Sequence, residues 1–219
     1  TALAVQKYSE KLDFEKIFSR YKKRGVGIVS LIEAMITYRL TENQSTSRAS
    51  DWINRPEVLN LFELSAFEER TLFRVLETAG DNYEEIIHLL QTIIFQLYDF
   101  PCTDVNMDWT SFVLWGTKAE LGEYGYSRAH RPDKKQITVG ISQLCSPINI
   151  PIGLTVQTGN TNDQTHFKKT FLQVCEHLKP ESRIVFDKGA QSKYNIDLVL
   201  AHKMKYISSM NLNLSDDKR

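Results

Sequence analysis

In RIVFDKGAQS, residues 183–192, the apolar run Ile184, Val185 and Phe186 leads straight into Asp187, Lys188 and Gly189. A carboxylate at the mouth of a buried strand needs a partner, because a buried charge is costly unless it is paired or bound to a metal. A second carboxylate of the same kind is Asp108. In DVNMDWTSFVLW, Val105, Met107 and Trp109 alternate with Asn106, Asp108 and Thr110, as the two faces of a half-buried strand should. Two carboxylates held together repel, and the repulsion is relieved by protonating one or by placing divalent cations between them. Hard oxygen ligands favour Mg²⁺ or Mn²⁺, and a pair of such ions can activate an attacking oxygen and stabilise a leaving one in phosphodiester chemistry. The plainer alternative is that Asp187 only caps the turn that follows its strand.

For the two acids to meet, their strands must be neighbours. After the first strand come QITVGISQLC and INIPIGLTVQT, two strands joined by a Ser146-Pro147 turn, and then the tight turn GNTND. Gly159 and Asn160 shape that turn, with glycine free to take a positive φ. Asp163 can cap a helix from Gln164 to Leu178, and capping explains it more simply than a role as an extra metal ligand. The strand Arg183 to Phe186, a helix over Ser192 to His202 and a last strand, KYISSM, complete the order β-β-β-α-β-α-β. Three strands in hairpin succession followed by crossover helices predict a mixed sheet with helices packed on it. Right-handed crossovers return the fourth strand beside the first, so Asp108 and Asp187 would face each other.

Residues 1–100 read as a helical domain, so the fold class is α+β overall. Leu12, Phe14, Ile17, Phe18 and Tyr21 approximate one helical face that Gly25 ends; a second helix fits Ile28 to Leu40, and SRASDWIN a third before Pro56. Ser65 to Glu68 has the form of a capping box opening a fourth helix that stops at Gly80, and Asp81 then caps a fifth with Ile86, Ile87, Leu90, Ile94 and Leu97 inward. The polar turn TENQSTS leaves room for a helix-turn-helix DNA reader, and equally for a plain bundle.

Composition narrows the setting. The longest apolar stretch, GVGIVSLIEAMI, is broken by Ser30 and Glu33 and is too short to span a bilayer, so no membrane segment is expected. Three widely spaced cysteines, Cys102, Cys145 and Cys175, form no disulfide framework and no metal pair, which suits a reducing interior. The chain opens on Thr1 and stops at SDDKR, as though cut from something longer. Net charge is zero, with 12 Lys and Arg against 15 Asp and Glu in residues 1–100 and 15 against 12 thereafter. Local clusters say more: Arg20, Lys22, Lys23 and Arg24 end one helical segment, and Arg128, Arg131, Lys134 and Lys135 crowd around His130. Such clusters can neutralise phosphates or simply solvate a surface. Tyr126, Arg128, His130 and Arg131 could stack on bases and hold phosphates. His166 and His177, eleven residues apart on or near one helix, fit a surface pattern better than a metal site, and no nucleotide loop, Ser-His-Asp elbow or zinc spacing occurs.

Several pieces match a known family in order: DWTSF with Asp108, GYSRAHRPDKKQ at 125–136, the strand pair ending in GNTND at 159–163, and FDKGAQS with Asp187. Residues 104–210 resemble the catalytic domain of the DDE transposases of prokaryotic insertion sequences, in the ribonuclease-H-like superfamily, and the helical first hundred residues resemble that family's N-terminal region. The resemblance implies a ribonuclease-H-like domain over 101–219 and a DNA-binding helical domain over 1–100. It makes Asp108 and Asp187 the first two acids of an Asp-Asp-Glu triad holding Mg²⁺ or Mn²⁺, with Tyr126, Arg128, His130, Arg131, Lys134, Lys135 and Lys188 toward DNA. It further implies double-stranded DNA as partner, at element ends and target, a homodimer on that DNA, and a cytoplasmic, nucleoid-associated place in a bacterium or archaeon. The chain departs from the family twice. Lys188 stands where Arg is usual, which keeps the charge and loses a bidentate fork. The third acid, a Glu on a later helix, has no counterpart before Arg219, and Glu181 and Asp197 are poor substitutes.

Overall fold

Period-two alternation produces the strand it predicts. β1 spans Asp104–Val113, and Val105, Met107 and Trp109 are all nearly solvent-free. The computed structural model describes residues 1–21, 25–116, 118–146 and 148–209, and the chain divides into two units, Thr1–Ile94 and Phe95–Arg219.

In the second unit β2 (Gln136–Leu144) and β3 (Ile150–Thr158) form an antiparallel meander with β1, while β4 (Arg183–Val185) and β5 (Lys205–Ile207) run parallel to β1 on its other side. The strand order is β3-β2-β1-β4-β5. Between β3 and β4 the chain makes α8 (Asp163–Cys175), and between β4 and β5 it makes α9 (Lys193–Ala201). This is the mixed sheet with packed helices that the sequence predicts, with β1 central. Its core joins the buried face of β1 to α8: Trp109 lies 5.8 Å from Phe167, and Phe167 meets Phe186 edge-on at 4.8 Å. Burying aromatic side chains of this size stabilises by about 1.5–3 kcal/mol each.

The register of β1 against β4 places the acids. Asp104 pairs with Arg183, whose guanidinium grips its carboxylate with two donors, Nε to Oδ1 at 2.6 Å and Nη2 to Oδ2 at 2.7 Å. That exposed pair adds little stability, but it aligns the two strands. The paired ladder ends at Asn106 and Val185, and Asp108 and Asp187 each lie two residues past that end in sequence.

The first unit is helical: α1 (Ala2–Lys11), α2 (Phe14–Phe18), α3 (Ile28–Thr41), α4 (Thr46–Ile53), α5 (Pro56–Leu61), α6 (Glu69–Asp81) and α7 (Tyr83–Leu97), the last running past the unit boundary. Ile17, Leu31, Ile53, Phe62 and Leu72 form its dry centre. Leu12 to Tyr21 is not one helix, because Asp13 takes a left-handed backbone and its carboxylate caps α2 at Lys16 N. The Ser65 capping box does not form either. Asn54 instead exchanges hydrogen bonds with the backbone of Phe67, holding the chain extended, and α6 starts at Glu69 without a side-chain cap. Asp81 ends α6 rather than capping α7, since the helix continues through Gly80.

Lys22, Lys23, Arg24, Pro147 and the end of the KYISSM strand at Met210 lie outside the described residues. All three cysteines are free. Among the described residues no helix is long and apolar enough to cross a membrane.

Candidate functional site

Asp187 does not sit in the buried strand. It is exposed just past β4, and its Oδ1 accepts from Ala190 N at 3.3 Å, so it caps the 3-10 turn Lys188–Ala190. Capping uses one oxygen and leaves the other to face outward. Asp108 is likewise exposed, its Oδ1 accepting from Trp109 N at 2.8 Å.

A third carboxylate joins them. Asn162, not Asp163, caps α8: its Oδ1 accepts from Thr165 N at 2.9 Å. Asp163 is thereby displaced into the first helical position and turned toward the acids. Burial raises its pKa most, the Arg128 cation opposes this, and the negative charges of Asp187 and Asp108 raise it further. The three carboxylates are therefore close enough to feel one another. Among the described residues no three His, Cys, Asp or Glu side chains converge tightly enough to hold a metal ion.

Arg128 supplies the compensating charge. Its Nη2 donates to Asp163 Oδ2 at 2.6 Å and its Nη1 donates to the carbonyl oxygen of Trp109, next to Asp108. One guanidinium thus ties β1, 19 residues before it, to the start of α8, 35 residues after it. The loop carrying it is fixed by close backbone packing. Glu123 and Gln136 exchange both backbone hydrogen bonds, at 3.1 and 2.9 Å, and Gln136 Nε2 donates to the carbonyls of Tyr126 and Gly159. Gly159 does not adopt the positive φ anticipated for it. It is needed for another reason: a Cβ there would stand 2.0 Å from the Gln136 oxygen and 2.4 Å from the Glu123 oxygen. Gly125 packs against the same turn, its Cβ position 2.1 Å from the Gly159 oxygen.

Between this loop and the start of α8 lies a cavity of about 260 Å³. Thr110, Ser111, Thr138, Asn160, Thr161 and Asn162 line it with Tyr126, Arg128, Asp163 and Gly189. Asp108 and Asp187 are not in its wall, but Asp163 and Gly189 connect it to the acid end: a Cβ on Gly189 would stand 3.0 Å from Asp163 Oδ2 and 3.2 Å from Asp187 Oδ1.

Of the remaining basic residues that the sequence singles out, Arg131 and Lys134 turn to other partners. Arg131 grips Asp133 with two donors at 2.8 and 2.7 Å, and these hydrogen bonds hold the Asp133 pKa down at about 2. Arg131 and Lys134 both lie over the exposed Trp115 ring, at 4.9 and 5.2 Å from its centre. His130 is exposed with φ 54°, Lys135 is half-buried, and Lys188 is exposed on the turn after Asp187.

His166 is a correction. It is 1 % exposed, between Thr138 Oγ1 at 3.3 Å and Thr155 Oγ1 at 2.9 Å, because α8 turns that side onto the sheet. Burial and, secondarily, Lys169 lower its pKa to about 4. His177 is half-buried and stacks on Phe95. Two site residues escaped sequence reasoning. Asp163 reads as the cap of α8, yet Asn162 beside it is as good a cap and takes that place. Trp115 reads as the end of a strand, and only the cations folded over it mark it as surface.

In the first unit, α3 and α4 are joined by the turn Glu42–Ser45, with Asn43 at φ 48° and Ser45 capping α4. Arg39 and Arg48 both donate to Gln44, at 2.7 Å, beside an open cavity of about 490 Å³ that Trp52 and Arg55 also line.

No family model and no curated protein matches this chain. Among solved structures it is similar to the piggyBac transposase in a synaptic complex with hairpin DNA, at 16 % identity and TM-score 0.43, covering 85 % of this chain and 41 % of that one. It is also similar to the Mos1 transposase in a paired-end complex with a left transposon end, at 11 % identity and TM-score 0.34, covering 84 % and 60 %. The chain spans less than two thirds of either. Likeness of this degree assigns no residue a role.

Proposed function

We propose that this chain is a portion of a DNA transposase whose second unit acts on phosphodiesters at element ends. The observation that supports the reading is the parallel pairing of β1 with β4, two residues beyond the end of which lie Asp108 and Asp187, the residues that the DWTSF and FDKGAQS motifs single out. Each carboxylate spends one oxygen on a backbone N–H and keeps the other, a hard donor suited to Mg²⁺ or Mn²⁺. Asp108 and Asp187 would hold such an ion, which when bound supplies charge neutralisation at the attacked phosphate and a more acidic water. Asp163 stays with Arg128, orienting that cation beside the acids.

DNA would be held by the loop of Tyr126, Arg128, His130, Arg131, Lys134 and Lys135, with Lys188 beside the acids. In the first unit the α3–turn–α4 segment has the form of a helix-turn-helix, with the exposed Ser47 and Arg48 in the first turn of its second helix. A homodimer on DNA is the corresponding expectation, since two ends must be brought together.

Mn²⁺-dependent nicking of an element-end duplex tests the assignment. Asp187→Asn is expected to abolish nicking while DNA binding persists; equal nicking by mutant and parent would sink it. A second reading, DNA binding without cutting, is favoured by one observation: among the described residues no three acids stand close enough together to hold a metal ion, Asp163 being turned to Arg128. A parent chain that binds the duplex and never nicks it establishes that reading instead.

A further inference from the structure

The cavity beside the acids carries a more specific assignment, which rests on the DNA-processing reading above. We propose that it receives one unpaired nucleotide of a DNA end, with the base on Tyr126 and its phosphate on Arg128.

Size is the first reason. About 260 Å³ is room for a single nucleotide and too little for a base pair with its backbones. Chemistry is the second. Tyr126 stands at the rim 87 % exposed, an aromatic face that its own chain does not cover. Every base has a π-face to offer such a ring, whatever the sequence. Arg128 is anchored from behind by the Trp109 carbonyl and Asp163, which occupy one N–H on each terminal nitrogen. A guanidinium carries five N–H donors, so the others remain for an anion. The cation is held in place before the ligand arrives, which lowers the ordering cost of binding.

The walls supply the third reason. Asn160 Oδ1 is taken by Thr158 and Asn162 Oδ1 by Thr165 N, so both amides keep Nδ2 donors that have no partner among the described residues. Both asparagines are exposed at the cavity wall, and amide donors of this kind suit the edge of a base. The Asp163 carboxylate repels a phosphate, and Arg128 stands against it in direct contact.

The test compares a fully paired DNA duplex with the same duplex carrying a three-nucleotide single-stranded end, by fluorescence anisotropy in EDTA so that nothing is cut. Stacking on an aromatic is worth roughly 5- to 150-fold in affinity per base, so the parent chain is expected to prefer the frayed duplex by at least about fivefold. Tyr126→Ala should collapse that ratio toward one, and Tyr126→Phe should keep it. Equal affinity of the parent for the two duplexes, or a preference that survives Tyr126→Ala, overturns the inference while leaving DNA binding intact. Failure to bind either duplex removes the DNA-processing reading itself, and this assignment with it.

Discussion

Asp163 and His166 stand three residues apart on α8 and meet opposite treatment. His166 faces the sheet and enters a closed network. Thr155 contacts both its Nε2 and, at 2.8 Å, the hydroxyl of Thr170, which in turn accepts from Trp109 Nε1 at 3.0 Å. Gly140 makes the network possible, since a Cβ there would stand within 2.6–2.7 Å of Thr170, Thr155 and Trp109. Asp163, one turn earlier, is half-buried, pushed up in pKa by its surroundings and balanced by a single cation. A buried polar network with its partners made rigidifies a core. A carboxylate crowded by two others and open to a cavity holds back capacity that a ligand can use. The difference separates scaffold from working end within one helix.

The loop that carries Arg128 is where the working end is built as tightly as the scaffold. Gly159→Ala should therefore have the largest effect, because the new Cβ would overlap two backbone oxygens that cannot turn aside. Overpacking of this kind is expected to cost about 3 kcal/mol or more, read as a lowered midpoint in urea. A loss under about 1 kcal/mol would mean that the loop yields and Arg128 is not fixed.

The scaffold side is tested by acid. His166 ionises near pH 4 when folded and near 6.5 when unfolded, so the unfolded chain takes up the proton first. Stability is complete above pH 6.5 and falls as the pH drops toward 4, by up to about 3 kcal/mol for this shift. His166→Gln should flatten that window in urea titrations. A slope that persists in the variant would assign it to another group and dissolve the contrast with Asp163.

How much of this was legible in the sequence follows from the range of the forces. The strands of the sheet unit, and the central place of β1, come from alternation and crossover handedness, which act through every residue of an element. Asp108 and Asp187 were legible as candidates, and their strands' adjacency followed from topology. Arg128 on Asp163 was not, because a contact across 35 residues depends on a loop whose course is set by Gly125 and Gly159 meeting backbone to backbone. Local rules failed where a distant group held the chain in another conformation: Asn54 bonds both backbone groups of Phe67, the segment stays extended, and the Ser65 box never closes. His166 reads as a surface residue because the hydroxyls that satisfy its ring, Thr138 and Thr155, come from strands 28 and 11 residues away.

The finest probe of the comparison is the titration of Asp163 itself. Burial holds its pKa above the ordinary carboxylate value, Arg128 pulls against that, and Asp187 and Asp108 add to it. Removing Arg128 as Arg128→Ala should move the pKa further up, and Asp187→Asn should move it down, each followed by the carboxyl carbon resonance in NMR. The stability change in Arg128→Ala should stay within about 1 kcal/mol, since an ion pair this exposed contributes little net energy. Opposite movements with small stability changes would show that the pair tunes charge at the acid end rather than holding the fold. A large stability loss with an unmoved pKa would put Arg128 with the scaffold, alongside the threonines that enclose His166.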